Sequence, residues 1–345
     1  MMTHRMHPGE PPEATSDFPP HDPNPATAQE AEAPPYLQEF QTGSWQWLRG
    51  VSDLHVYCLP CVYRRLFDEI ELAKQFRAMG YRAFVSKRHH CCNADSTKLV
   101  MKHVPGIQVF GGVVLNWCVG GLNPHAVDAA ILMGAKVIWM GNMHAGTLST
   151  DPFYSRYNWH NLPADHPLKT RPIQAWMKAP PINVIDLETG ELAPPVYAIL
   201  DLIAAAGDVI LNTCHISYPE CAALVPAART AGITKIMIDH AHRFTLEEQR
   251  ALVAMGAYLE YDIPKDESRH PAIAEFMRRI GPEHCVLTSG MGAETHCHPI
   301  DEMRHMMVSL RMNGLSEKEI DLMAKTTPAK LLSLDEEPKP WRGYI

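Results

Sequence analysis

Three stretches of this chain place metal-capable side chains at the end of a short apolar run. They are Asp53-Leu54-His55-Val56-Tyr57, Asn212-Thr213-Cys214-His215 and Ile238-Asp239-His240-Ala241-His242. Residues two apart in a strand share a face, so His55 and Tyr57 point the same way. Any one of these histidines alone reads as a hydrogen-bonded core or rim residue. Together His55, His215 and His240, at equivalent strand ends, can hold one zinc-like ion and leave a position open for water or substrate. Iron or manganese would suit similar ligands. An ion held in this way acidifies its water and polarises a carbonyl, which is hydrolytic chemistry.

A fourth run ends Lys87-Arg88-His89-His90-Cys91-Cys92, with Lys87 and His89 on one face. A lysine in an apolar mouth must pair, bind an anion or shift its pKa. Lys87 could hold a substrate carboxylate, form a Schiff base or act as a base. It could equally be the partner of Asp53 or Glu260, because buried charges are paired. His89 is a candidate acid/base or extra ligand, while His90 is expected to pack outward. Asn116, His144 and His242 are candidates for substrate hydrogen bonds, and the glycines at 111–112 and 120–121 would allow close backbone approach to a ligand. Cysteines crowd the same region at Cys58, Cys61, Cys91, Cys92, Cys118, Cys214 and Cys297. A thiolate there could be a nucleophile or a soft ligand, or the residues could be small buried apolar groups. Cys58 and Cys61 have no second such pair, so a structural zinc ribbon is unsupported.

The elements that must position these groups follow a rhythm. Strand-like runs are expected at 53–57, 83–87, 109–115, 136–140, 208–212, 235–239, 257–262 and 285–289. Helical patterns lie at 64–79, 124–133, 219–230 and 245–255. Gly80, Gly134 and Gly232 stop the first three, and Pro124 opens the second. Thr245 with Glu248, and Ser316 with Glu319, are capping-box signatures. Eight alternating repeats favour a (β/α)8 barrel, with its chemistry at the C-terminal ends of the strands. Between the fourth and fifth strands lies an insertion at about 141–193. It is rich in Tyr, Trp, His and Pro and ends in a hairpin around Thr189-Gly190. Such a loop serves as a lid or substrate wall, or as an oligomer contact.

Of the 345 residues 46% are hydrophobic, enough for a sizeable core. Residues 1–35 lack a core pattern and are expected to form a disordered Pro-rich arm, with residues 36–345 as the barrel domain. The histidines of that arm, His4, His7 and His21, are expected to be solvated. A net charge of -8 gives no electrostatic case for nucleic acid or an anionic membrane. No run is apolar enough to span a membrane, and no secretion signal is visible. Nine cysteines, an odd number, suit free thiols in a reducing cytoplasm. The expected partner is a small molecule, with homo-oligomerisation open.

The runs DLHVY at 53–57, FGGVVLNWCVGGLNP at 110–124 and VIWM at 137–140 resemble a known family. So do CHIS at 214–217, Asp239-His240, AYLE at 257–260 and TTPAKLLSL at 326–334. The resemblance is to the amidohydrolase superfamily of metal-dependent barrel hydrolases, and within it to the amidohydrolase-like family DUF6282. It covers about residues 50 to 335. It implies a His-x-His on strand one, histidines on strands five and six, and an aspartate on strand eight. His55, His215 and His240 match these roles. Tyr57 stands where the second histidine would be, Gly290 where the aspartate would be, and no lysine follows strand four. A single divalent ion, with Tyr57 as ligand or hydrogen bonder, is therefore expected rather than two. Glu294 could loop back as the carboxylate, although four extended residues carry it roughly 13 Å away.

These residues point to a metal-dependent hydrolase acting on a C–N or C–O bond of a small polar substrate. Lys87, His89 or Glu294 would move protons and orient the substrate. A metal- or lysine-assisted lyase, such as a decarboxylase, a thiol enzyme and a degenerate binding protein are the alternatives.

Overall fold

The computed structural model describes residues 44–149, 179–262 and 269–335. The chain divides into Met1–Thr42 and Gly43–Ile345, and every described residue belongs to the second unit. The expected arm at 1–35 and most of the insertion, 150–178, lie outside the described residues.

Nine strand segments make eight staves. They are β1 (Ser52–Val56), β2 (Ala83–Ser86), β3 (Gln108–Phe110), β4 (Gly112–Val114), β5 (Val137–Trp139), β6 (Ile210–Asn212), β7 (Ile236–Ile238), β8 (Tyr258–Tyr261) and β9 (Cys285–Leu287). Every pairing is parallel, in the orders β1-β2-β3 and β4 through β9. Two backbone bonds carry the chain after β9 back to the first stave: Gly290 N to His55 O at 3.0 Å and Tyr57 N to Met291 O at 2.8 Å. Among the described residues eight helices of nine residues or more intervene or follow: α1 (Glu69–Ala78), α2 (Ala94–His103), α3 (Pro124–Leu132), α4 (Pro194–Ala206), α5 (Tyr218–Thr230), α6 (Leu246–Ala254), α7 (His270–Ile280) and α8 (Pro299–Met312), and a short C-terminal helix spans Thr327–Leu332. This is the expected (β/α)8 barrel architecture. Among the described residues no helix is long and apolar enough to cross a membrane.

The core has two layers because buried parallel strands are apolar on both faces. The larger cluster, with Phe84, Val109, Ile138, Leu211, Ile238 and Leu259, packs between staves and helices. The smaller holds Ala83, Val85, Val137, Trp139, Ile210, Met237 and Val286, together with Ala329, Leu331 and Leu332 of the C-terminal helix. Continuing that smaller set by strand parity leads from Val85 to Lys87, from Ile210 to Asn212, from Met237 to Asp239 and from Val286 to Thr288. Apolar interior thus gives way to polar groups at the C-terminal end of the staves.

Two expectations change in detail. The third strand, expected unbroken over 109–115, is interrupted at Gly111. A side chain at Gly111 would stand 2.6 Å from Asn93 Oδ1, and one at Gly112 would strike Val137 O. Gly111 admits Asn93, whose Oδ1 accepts from Gly112 N at 2.9 Å, and Gly112 admits the backbone of the next stave, so neither glycine is spent on a ligand. The helix expected from residue 64 begins at Glu69, with Asp68 and Glu71 forming a capping box. Residues 64–68 are held elsewhere: Leu66 N donates to Gly292 O at 3.0 Å, and Arg65 bridges Ala293. The capping boxes at Thr245 and Ser316 and the small hairpin, bridged by Ile185 and Leu192, form as expected.

Candidate metal centre

At the C-terminal end of the barrel, His55 occupies the middle of a fully buried polar network. Its Nδ1 lies 2.6 Å from Glu260 Oε1 and 3.4 Å from Asp239 Oδ1, and its Nε2 lies 2.8 Å from Tyr57 Oη. Glu260 is fixed in turn by Asn212 Nδ2 at 3.0 Å and Thr288 Oγ1 at 3.0 Å. Burial and Lys87 disfavour a charge on His55, but Tyr57, Asp239 and Glu260 outweigh them and raise its pKa well above the ordinary value. Asp53 shares the strand face and ties β1 to the eighth stave, its Oδ1 accepting from His55 N and Ser289 N at 3.2 and 3.1 Å. Burial pushes the Asp53 carboxyl up to about 6 in spite of the Ser289 bonds.

Lys87 is completely buried and its Nζ is crowded by acceptors. Asp239 Oδ2 lies at 3.1 Å, His55 Nε2 at 3.2 Å and Cys214 Sγ at 3.3 Å. Burial opposes the ammonium, yet Asp239, Cys214, Tyr57 and Glu260 together raise its pKa well above the lysine value. The partner is Asp239, not Asp53 or Glu260 as weighed from the sequence. Asn142 Nδ2 also donates to Cys214 Sγ at 3.2 Å. Burial raises the Cys214 thiol, partly offset by Lys87, and sends Cys58 higher still, so neither is an activated nucleophile.

His240 completes the centre. Its Nδ1 lies 2.8 Å from Asp262 Oδ1 and its Nε2 lies 3.3 Å from Asp239 Oδ1. Asp262 can only accept, because His240 and His242 hold its carboxyl below the usual range despite burial. The His240 Nδ1 proton therefore belongs to Asp262, and Nε2 is left facing a carboxylate oxygen. Neither His240 Nε2 nor Asp239 Oδ1 has a hydrogen-bond partner, and both are buried. A buried imidazole nitrogen turned on a buried carboxylate oxygen is a pair that either a proton on the ring or a shared cation would satisfy. Burial works against a second proton on His240, but Asp239 and Asp262 prevail and raise its pKa. Ligand atoms of His55, Asp239 and His240 lie within 4.8 Å of one another, so a divalent ion fits this donor set.

His215, expected as the third ligand, stands beside this triple, its ring centroid 4.5 Å from that of His240. An Arg243 Nη1 lies 3.3 Å from its Nδ1. A guanidinium can only donate, so the neutral ring carries its proton on Nε2. His89 repeats the device: Arg65 Nη2 lies 3.2 Å from its Nδ1, and its ring stacks on Tyr57 at 5.0 Å. Burial holds both imidazoles well below the usual pKa, with His240 adding to the effect at His215 and Arg65 at His89. Each ring is thereby left with Nε2 as its donor, His215 beside His240 and His89 beside Tyr57.

Other expected residues are placed differently. Glu294 is 52% exposed and faces Arg64 at 3.5 Å, away from the network. Asn116 is buried but consumed by backbone. It accepts from Asn142 N at 3.1 Å and His144 N at 3.4 Å, and donates to His89 O at 3.0 Å. It is a strut between loops. His144 Nδ1 accepts from Trp117 N at 3.4 Å. His242 stands behind His240, its Nδ1 3.3 Å from Asp262 Oδ1. His90, expected to pack outward, is half-buried against Tyr63.

The carboxylate missing at Gly290 is explained next door. Gly290 has φ +63°, and a side chain there would meet Asp262 Cβ at 3.2 Å and Oδ2 at 3.3 Å. Asp262, just past β8, fills the space beside the eighth stave. Asp239, Asp262 and the two arginines are site residues to which the sequence assigned no role, and Glu260 was weighed only as a partner of Lys87. The signal for two of them was present, since Glu260 and Asp262 are two apart on one strand face.

Solved structures with this fold include the organophosphorus hydrolase of Deinococcus radiodurans (TM-score 0.51, 12% identity, 83% of this chain and 93% of that one). A TatD homologue of Escherichia coli (0.50, 13%, 83% and 98%) and a dihydroorotase (0.50, 11%, 83% and 72%) are similar too. At such identities the likeness shows the fold alone, a parallel (β/α)8 barrel. The chain belongs to DUF6282, a family of unknown function whose pattern matches residues 50–260, more than half of its length. No curated protein matches the sequence.

Proposed function

We propose that this protein is a metal-dependent hydrolase using one divalent ion held by His55, Asp239 and His240. The observation that carries the reading is the facing pair Asp239 Oδ1 and His240 Nε2, buried, 3.3 Å apart and without hydrogen-bond partners. The ion, zinc or a similar metal, would supply an activated water and a polarised substrate carbonyl. Asp262 fixes His240 through Nδ1, and Glu260 fixes His55. Lys87 offsets the Asp239 charge from the side away from His240. The Nε2 protons of His215 and His89 are placed to donate to oxygen as negative charge develops on the substrate. Lys87 is thereby an electrostatic group and Glu294 has no part. A small polar substrate with a C–N or C–O bond suits this equipment.

A lysine-assisted lyase is the weaker reading. A Schiff base needs a neutral amine, and Asp239 holds Lys87 as an ammonium.

The test is metal content per chain of gently purified protein by plasma mass spectrometry. About one divalent ion per chain is expected in the wild type and in His215→Ala, and none in Asp239→Asn or His240→Ala. No metal in the wild type after reconstitution with zinc, iron or manganese would sink the proposal.

A further inference from the structure

We infer that the substrate carries an oxyanion group, a carboxylate or phosphate, received by Arg65 at the mouth of the site. The inference rests on the hydrolase reading for where the substrate sits, but the anion site stands on its own geometry. An arc of side chains crosses the mouth: Arg65 against His89 and over the Tyr57 ring at 4.6 Å, then Tyr57 on His55, then His240, His215 and Arg243. Each end of the arc is a guanidinium, and among the described residues neither has a carboxylate within 4.0 Å. By contrast Arg64, Arg82, Arg88 and Arg278 all have acidic partners.

Arg65 is the more telling of the two. Its Nε is buried and has no hydrogen-bond partner. Its backbone is pinned to the eighth-stave loop by the Arg65–Ala293 bridge and the neighbouring Leu66–Gly292 bond. A buried donor on a fixed guanidinium, set against a neutral imidazole, is a cation awaiting an acceptor. The planar fork of arginine matches a carboxylate or phosphate in two-point contact, which lysine does not. The overall charge of -8 offers no general attraction for anions, so any anion affinity must be local to such a site.

The experiment titrates chelator-treated, metal-free protein with inorganic phosphate and, separately, with succinate, at constant ionic strength. Binding is read by calorimetry. Saturable binding is expected for at least one anion, weakened about tenfold or more in Arg65→Met with an unchanged melting temperature. Arg65→Lys should restore little of it. Phosphate alone would indicate phosphate-bearing substrates, and succinate alone carboxylate-bearing ones. Either supports the inference. Binding by neither anion, or binding indifferent to Arg65→Met, would overturn it. Metal content of the same proteins before chelation and after reconstitution separates the two proposals, since an ion bound without anion affinity sinks only this one. Anion affinity without any metal uptake sinks only the hydrolase reading.

Discussion

Replacing Gly290 by Asp restores the residue the superfamily carries on its eighth stave, and the structure says the change should harm this chain. Gly290 sits at φ +63°, a left-handed conformation costing an L residue about 1–2 kcal/mol, with Asp at the tolerant end. The new Cβ would stand 3.2 Å from Asp262 Cβ, so one of the two must give. Two carboxylates about 4 Å apart repel by about 4 kcal/mol at an effective dielectric near 20. We halve that to about 2 kcal/mol because the Asp262 side chain keeps 17% exposure. The single variant should therefore lose about 3 kcal/mol, which at about 2–4 °C per kcal/mol lowers the melting temperature by roughly 6–12 °C. Adding Asp262→Gly removes both contact and repulsion. Alone, that second change costs about 1–3 kcal/mol through the lost bond to His240. The double variant should then be more stable than the sum of the singles by about 2–3 kcal/mol. Urea denaturation of the four metal-free proteins measures this coupling. Additivity within about 0.5 kcal/mol would refute the claim that Asp262 occupies the eighth-stave carboxylate space.

Two further outcomes follow from charges elsewhere in the barrel. Lys87→Met leaves Asp239 buried without its ammonium and should cost the metal-free protein about 3–5 kcal/mol. Added zinc should raise the melting temperature of this variant more than that of the wild type, and equal rises would show that Lys87 and the ion do not share Asp239. At the opposite end of the barrel, Asp208 is bound by Lys136 at 2.6 Å, Lys235 at 2.5 Å and Ser333 at 2.8 Å. Burial raises its pKa, but the two lysines and Ser333 win and lower it. A depressed carboxyl stabilises the fold fully above its unfolded pKa near 4 and loses that contribution as pH falls through the lower folded value. Asp208→Asn should thus cost about 2–3 kcal/mol at pH 7, and chemical denaturation should show the gap closing below about pH 4. A gap that is constant with pH would contradict the assignment.

The barrel was legible because its evidence is periodic. Continuous apolar runs, glycine stops and capping boxes are local features, and tertiary contacts did not override them at β1, β2 or α6. Errors fell where a distant group entered. Asn93 broke the third stave at Gly111, and the eighth-stave loop drew residues 64–68 away from helix. The site was half legible for a similar reason. His55 and His240 lie on recognisable strand ends, whereas the arginines that fix His89 and His215 sit outside the strands, in an isolated bridge and a single 3-10 turn. No spacing links Arg65 to His89 across 24 residues.

Strand parity alone cannot bring both Asp239 and His240 into the mouth. Adjacent strand residues face opposite ways, so placing His240 in the mouth sends Asp239 outward. Parity from Met237 gives the reverse, with Asp239 inside and His240 outside. The structure satisfies both because His240 leaves the strand at φ +50° and its ring returns to the mouth. Cys214 repeats the device after β6, at φ 52°, with its sulfur on Lys87 and His215 following at the rim. Each left-handed turn costs about 1–2 kcal/mol, and neither falls on glycine. Two such turns on neighbouring staves, each delivering two consecutive polar residues to one buried centre, are strain placed where the chemistry is. A strand that simply ended would supply one group per stave. The left-handed exit supplies two, and so Asp239 and His240 can face one ion from a single stave.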